Sequence, residues 1–349
     1  MLRKKVYVFS IFLIIIVLSS AFSVQSVVKK TNDSNVLFRV VIIPDTQKLV
    51  EEDCKEVLFN QFEYASKNAD YVIHLGDLVE NFDNSTQWDL IDEGFQILDD
   101  SNTSYSVIAG NHDIDEYNTL NQGVDYAPLY NEYFPVFRIS QNGFFQESFG
   151  RGLENHYSIV TIKKVKFLFL FVSYYITDLE YAWIQRTIDS NQDCYIIMVT
   201  HALITKEGNV IVIHDLEFKS FYNIGMRDNV ILQLCGHDPG TYFEYIENHH
   251  AISLLDYQWK DVDKHYLGIL EFTNVGFGLK TYNPYTDDYY FDDQSEAENW
   301  FIDYSFPFED DEINESKVFI AKPLISYLPF FFVSLVLVAI VIFVVKRKR

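Results

Sequence analysis

Hydrophobic and polar positions along the chain fall into a recurring unit, a short apolar run that breaks off at residues able to hold a cation. Residues 38–44 lead into Asp45-Thr46-Gln47, and residues 71–75 into Gly76-Asp77. Residues 105–109 lead into Gly110-Asn111-His112-Asp113, residues 195–200 into His201, and residues 230–235 into Gly236-His237. Such a run, closed by glycine or a polar cluster, predicts a buried strand opening into a loop. Between the first three, residues 51–67 place Cys54, Val57, Leu58, Phe62 and Ala65 on one face at helical spacing, and residues 86–98 do the same with Trp88, Ile91, Phe95 and Leu98. Alternating strands and helices predict βαβ units, whose ligands gather beyond the carboxyl ends of the strands.

Further along, residues 114–152 lose this regularity, become rich in Tyr and Asn, and carry Pro128 and Pro135 as breakers, which predicts a long insertion. Residues 156–162 and 166–172 then read as antiparallel strands. Thr177-Asp178-Leu179-Glu180 has the form of a capping box opening a helix that buries Ala182 and Ile184. Strand-like runs follow at 209–213, 251–255, 266–272 and 276–281. The expected fold class is α/β, with two packed β-sheets flanked by helices.

The two ends follow a different pattern. Residues 1–27 combine Arg3, Lys4 and Lys5 with an apolar run and small residues after it, as in a signal peptide or an N-terminal anchor. Residues 28–35 form a polar stalk, and the folded domain is expected over 36–285, followed by an acidic, aromatic membrane-proximal segment at 286–324. Residues 325–345 are uncharged and match the ~20 residues that cross a bilayer. Lys346-Arg347-Lys348-Arg349 marks the cytoplasmic side, which would leave the domain outside the cell membrane. Asn-x-Ser/Thr triplets at Asn32, Asn84, Asn102 and Asn314 agree with that topology as glycosylation candidates.

Charge narrows the chemistry. The net charge of −23 lacks the basic footprint of a nucleic-acid binder, so duplex nucleic acid is not an expected partner. Three cysteines, Cys54, Cys194 and Cys235, allow at most one disulfide and force none.

Taken in order, Asp45, Gly76-Asp77, Gly110-Asn111-His112-Asp113, His201 and Gly236-His237 resemble the calcineurin-like metallophosphoesterase family, over residues 36–285. The opening Asp-Thr-Gln and the later Asp256-Tyr257-Gln258 resemble a subgroup with Gln in place of the usual Asp-x-His. The resemblance implies a four-layer αββα sandwich hydrolysing a phosphoester with two divalent cations: Mn²⁺ foremost, with Fe, Zn or Mg as alternatives. It makes Asp77 the bridging carboxylate. Asn111, His201 and His237 would complete the second metal's shell, while Asp45 and Gln47 serve the first. The family's closing Gly-His-x-His reads here Gly236-His237-Asp238-Pro239, and proline offers no donor. Asp238, His249, His250 or water would have to substitute, so the first ion is expected to bind weakly.

Within this resemblance His112 is the candidate general acid, with Asp113 orienting it. His74 is expected as a hydrogen-bonded core or outer partner, and Glu80 and Asn81 as outer partners or a helix cap. His156, His214 and His265 are expected to be structural or superficial. For Asp256-Tyr257-Gln258 two roles stay open, packing a sheet edge or holding a loop beside the ligands. Three functions compete: a membrane-anchored two-metal phosphoesterase acting on a mono- or diester, a single-metal enzyme, and a surface receptor or scaffold that has lost catalysis.

Overall fold

In the computed structural model, which describes residues 35–309 apart from 117, 119–125, 142, 151, 212–221, 247–249, 258–263 and 291–296, the apolar runs pair into two sheets. The leader at 1–27, most of the stalk, the segment at 325–345 and the basic tail lie outside the described residues, as do Asn32, His214, His249, Gln258 and Asn314. Among the described residues no helix is long and apolar enough to cross a membrane.

The first sheet contains β1 (Val36–Ile43), β2 (Tyr71–His74), β3 (Tyr105–Val107), β11 (Leu267–Thr273), β12 (Gly276–Asn283), β13 (Asp288–Tyr289) and β14 (Asn299–Asp303). Its order is β13-β12-β11-β1-β2-β3, with β14 also pairing β12. The second runs β4 (Phe145–Ser148), β5 (His156–Ile162), β6 (Val165–Val172), β7 (Cys194–Thr200), β8 (Val230–Cys235), β10 (His250–Asp256) and β9 (Gly240–Ile246). β1, β2 and β3 are mutually parallel, as are β6, β7, β8 and β10. The parallel strands of each sheet therefore release their loops at one edge.

Strand periodicity decides how the layers stack, because successive side chains point to opposite faces. On β6, Phe167, Phe169 and Phe171 join Val40, Ile42 and Ile73 between the sheets. Leu168, Leu170 and Val172 face the other way, toward Trp183, Ile184 and Ile188 of α6 (Asp178–Ser190). On β1, Val41 and Ile43 turn toward Phe62 of α2 (Lys55–Asn68) and Trp88 and Phe95 of α3 (Ser85–Asp100). The result is the two-sheet sandwich with helices outside that the sequence led us to expect.

Several local expectations are refined. The helix expected at 51–67 is split into α1 (Gln47–Glu51) and α2 because Asp53 adopts φ 53°, which no helix interior tolerates. Cys54 is only half-buried at that break. The capping box at Thr177 is present in both directions, but Trp183 and Ile184, not Ala182, carry the burial on α6. The insertion holds two short helices, α4 (Pro128–Tyr133) and α5 (Val136–Ile139). Residues 209–211 form only an isolated bridge, Val210 to Ile204. The domain also continues past residue 285: β14 pairs with β12, Trp300 stacks on Phe243 at 4.5 Å, and Phe306 meets Phe167 at 5.0 Å.

Phe167 is fully buried where these layers meet, with Phe272 at 4.8 Å. Phe167→Ala is expected to lower the unfolding free energy by about 3–5 kcal/mol, measured by denaturant unfolding.

Candidate metal centre

The site forms where the carboxyl ends of both sheets meet, and backbone latches hold it. The N–H groups of Thr46 and Gln47 donate to the Asp77 carbonyl at 3.1 and 3.0 Å, tying the loop after β1 to the loop after β2. Thr46 Oγ1 donates to the Leu78 carbonyl at 3.0 Å and lies 3.1 Å from His74 Nε2. Because His74 Nδ1 accepts from the Gly76 N–H at 3.2 Å, the proton of this neutral imidazole sits on Nε2. Burial pushes the His74 pKa down to about 3, so the ring is a fixed connector between the two loops, as expected of a core partner.

Asp77 itself adopts φ 50°, and Gly76 before it φ 90°. A non-glycine residue in the left-handed region is held there by its surroundings. A Cβ on Gly110 would collide with the Asp77 backbone nitrogen and carboxylate, so the loop after β3 can close on Asp77 only with glycine at that position. Asp113 then locks the third loop: its Oδ1 accepts from Leu78 and Val79 N–H at 2.9 and 3.1 Å, and its Oδ2 from Gly110 N–H at 2.7 Å.

This corrects the expectation that Asp113 orients His112. Asp113 is buried and serves the backbone. His112 is oriented by Glu80, whose carbonyl lies 2.9 Å from Nδ1 and whose carboxylate lies 3.8 Å away, itself held by Lys48 at 3.0 Å. With Nδ1 donating to a carbonyl, Nε2 of the half-exposed His112 ring is left for a bound molecule. Its backbone N–H donates to Asp77 Oδ1 at 2.9 Å.

The expected ligands of the second metal converge. His201 Nδ1 donates to the Leu75 carbonyl at 2.9 Å, which leaves Nε2 facing inward. Around Nε2 stand Asn111 Oδ1 at 3.0 Å, His237 Nδ1 at 3.2 Å and Asp77 Oδ2 at 3.3 Å. Burial alone would raise the Asp77 carboxyl, but the His201 and His112 imidazoles bring its pKa down to about 2. Burial opposes charging His201 as well; Asp77 outweighs it and raises that pKa. His237, at φ 73°, is pushed down to about 4 by burial and by its neighbour His201.

Asp45 and Gln47, the residues expected around the first metal, offer oxygens. Asp45 is buried, its Oδ2 accepts from the His237 N–H at 3.3 Å, and its pKa is raised well above the carboxylate range by burial, then by the charges of Asp256 and Asp77. Gln47 Oε1 is buried and accepts no aligned hydrogen bond from any described residue, while Asp77 Oδ2 faces His201 Nε2 at 3.3 Å. A buried acceptor without a donor is costly, and a cation beside it removes that cost. The carboxylate, amide and imidazole donor set suits divalent ions, so the residues present fit the two-metal expectation.

The proposed substitutes for the missing histidine fare differently. His250 is corrected: it opens β10, donates from Nδ1 to the Val230 carbonyl at 2.6 Å, and lies six residues, roughly 20 Å along the strand, from the end where the site forms. Asp238 turns Oδ2 to the Lys206 N–H at 2.7 Å. His249 lies outside the described residues. His156 is a core residue, stacked on Phe171 at 4.5 Å, and His265 is buried. Asn84 caps α3, and both Asn84 and Asn102 are exposed.

One site residue escaped the sequence. Tyr174 places its ring 5.6 Å from His201 and 5.5 Å from His237, and burial followed by the Asp77 charge pushes its pKa up to about 12. The signal was its place just after β6, the same position the ligand motifs occupy on their own strands; an aromatic pair there does not announce metal chemistry.

A family model for calcineurin-like phosphoesterases matches residues 38–240, and the chain belongs to that family. A curated relative, the uncharacterized protein YvnB of Bacillus subtilis (strain 168), is 26% identical over 236 residues, which is 63% of this chain and 18% of that protein. The chain thus spans less than a fifth of that relative's length. Among solved structures, a dimetal phosphatase from Danio rerio superposes with a TM-score of 0.52 at 9% identity, covering 78% of this chain and 100% of that one. The purple acid phosphatase PPD1 of yellow lupin (Lupinus luteus) gives 0.51 at 17% identity, covering 77% of this chain and 54% of that one. These two likenesses establish the shared fold.

Asp113→Ala strips the acceptor from three buried N–H groups, each worth about 1–3 kcal/mol when orphaned. Thermal and denaturant unfolding of the metal-free protein should register a loss of about 3 kcal/mol or more, larger than Asn81→Ala at the exposed rim of the loop after β2.

Proposed function

We propose that the protein is a metal-dependent phosphoesterase that acts outside the cell membrane, hydrolysing a phosphomono- or phosphodiester. The observation that carries this reading is the convergence of Asp77 Oδ2, Asn111 Oδ1 and His237 Nδ1 within 3.3 Å of His201 Nε2, with His112 attached to the same Asp77. Asn111, His201, His237 and Asp77 would hold one divalent cation, and Asp45, Gln47 and Asp77 the other. When bound, such a pair supplies an acidified water and neutralises charge on phosphoryl oxygens.

The chain's own residues divide the remaining work. His112, with Nδ1 fixed by Glu80, offers Nε2 to the leaving-group oxygen and delivers a proton there. The Lys48–Glu80 pair holds that histidine's support in place. Tyr174 covers the two imidazoles and keeps water from their outer side. A catalytically silent scaffold is the second reading; it rests on Pro239, which removes one family ligand.

Membrane attachment rests on the sequence: residues 325–345 and the four basic residues after them form an anchor, residues 1–27 a leader or second anchor. The exposure of Asn84 and Asn102 supports glycosylation on the outer side.

The test uses the full-length protein, stripped of metal and titrated with Mn²⁺ while hydrolysis of an aryl phosphodiester and an aryl phosphomonoester is followed. Turnover should rise with the second equivalent; a protein that folds, binds Mn²⁺ and hydrolyses neither ester would move the reading to the scaffold. Asn111→Ala should lose metal and activity together. His112→Ala should lower turnover about 10²–10⁴-fold with metal content unchanged, because the backbone N–H that meets Asp77 remains.

A further inference from the structure

The first cation's shell lacks one residue, and the sheet register shows what stands in its place. β8 and β10 are parallel, with Leu254 opposite Cys235, so two residues further on Asp256 comes level with His237. On its other side Asp256 pairs with Gly240 of β9, the residue after Pro239. Asp256 therefore ends its strand beside the turn from which the missing side chain would have projected. It is fully buried, as is Asp45. His237, level with it, donates its backbone N–H to Asp45 Oδ2 at 3.3 Å, which brings Asp45 to the same turn. Gln47, two residues from Asp45, keeps a buried Oε1 that accepts no aligned hydrogen bond from any described residue. Buried carboxylate and amide oxygens are the ligands that hard divalent cations take.

We propose that Asp256 supplies, from the neighbouring strand, the ligand that Pro239 cannot, so that the first cation is held by an all-oxygen set of Asp45, Gln47, Asp77 and Asp256. The inference rests on the two-metal reading above. It assigns a chemical character to the first site as well as a residue. Carboxylate and amide oxygens without imidazole suit Mn²⁺ or Mg²⁺ and disfavour Zn²⁺, whereas the His201–His237 half accepts either class. The two halves should then differ in metal preference.

The experiment measures metal content and magnetic coupling, apart from turnover. The full-length protein is stripped, loaded with Mn²⁺, dialysed, and analysed for bound Mn by mass spectrometry and for spin coupling by low-temperature electron paramagnetic resonance. The wild type should hold two Mn per chain with an exchange-coupled signal. Asp256→Asn, of nearly the same shape, should retain one Mn with an isolated six-line signal, its other site weakened at least tenfold. Asp256→His keeps a ligand atom at the position and guards against a folding failure of the first variant; it should shift the first site's preference from Mn²⁺ toward Zn²⁺ at least tenfold. An Asp256→Asn protein that holds two coupled Mn with wild-type affinity, or an Asp256→His protein with unchanged preference, overturns the role of Asp256 and leaves the two-metal reading standing. A wild type that binds fewer than two Mn overturns both.

Discussion

Asp77 is the point on which the other parts of the molecule close. Its carbonyl receives the N–H groups of Thr46 and Gln47, its Oδ1 receives the N–H of His112, and its Oδ2 lies against His201 Nε2. Three of these partners come from the first sheet's loops and one from the second sheet. The residue reaches all of them while adopting φ 50°, a conformation that costs of order 1–3 kcal/mol and persists only where the surroundings enforce it. The enforcement is visible in Gly110, which must lack a Cβ, and in Asp113, which draws three N–H groups toward one carboxylate. A strained, buried carboxylate at a junction of two sheets is a poor choice for stability alone. It is a reasonable one for a ligand shared by two cations.

The sandwich makes this arrangement affordable. Aromatic residues between the sheets, with Phe167, Phe272 and Phe306 in mutual contact, fix the two sheets face to face. Once they are fixed, the loops after β1, β2 and β3 oppose those after β7, β8 and β10. His201 bonding the Leu75 carbonyl and His237 donating to Asp45 are the contacts by which the second sheet is keyed to the first. Packing thus sets the geometry of acceptors that would repel one another without a cation.

Much of this was legible in the sequence because each candidate ligand follows an apolar run, and a run that stops at Asp, Asn or His needs no partner to be recognised. What was not legible depended on pairing between distant segments. β9, mostly half-exposed, and the edge strand β4 lack the buried alternation that reveals a strand. β14 is recognisable only through its register with β12. Asp113 follows His112 in the sequence, yet adjacent side chains point apart, and its carboxylate turns to the backbone of another loop. Asp256 stood out as an acid at a strand end, but only the parallel pairing of β8 with β10 brings it level with His237.

Whether Asp77 is shared by two cations is read most directly from anomalous X-ray scattering at the manganese edge, using crystals of the protein soaked in Mn²⁺. A shared Asp77 requires two peaks in the domain, one among Asn111, His201 and His237, the other beside Asp45 and Gln47, with Asp77 touching both. A single peak, or peaks away from Asp77, would contradict it.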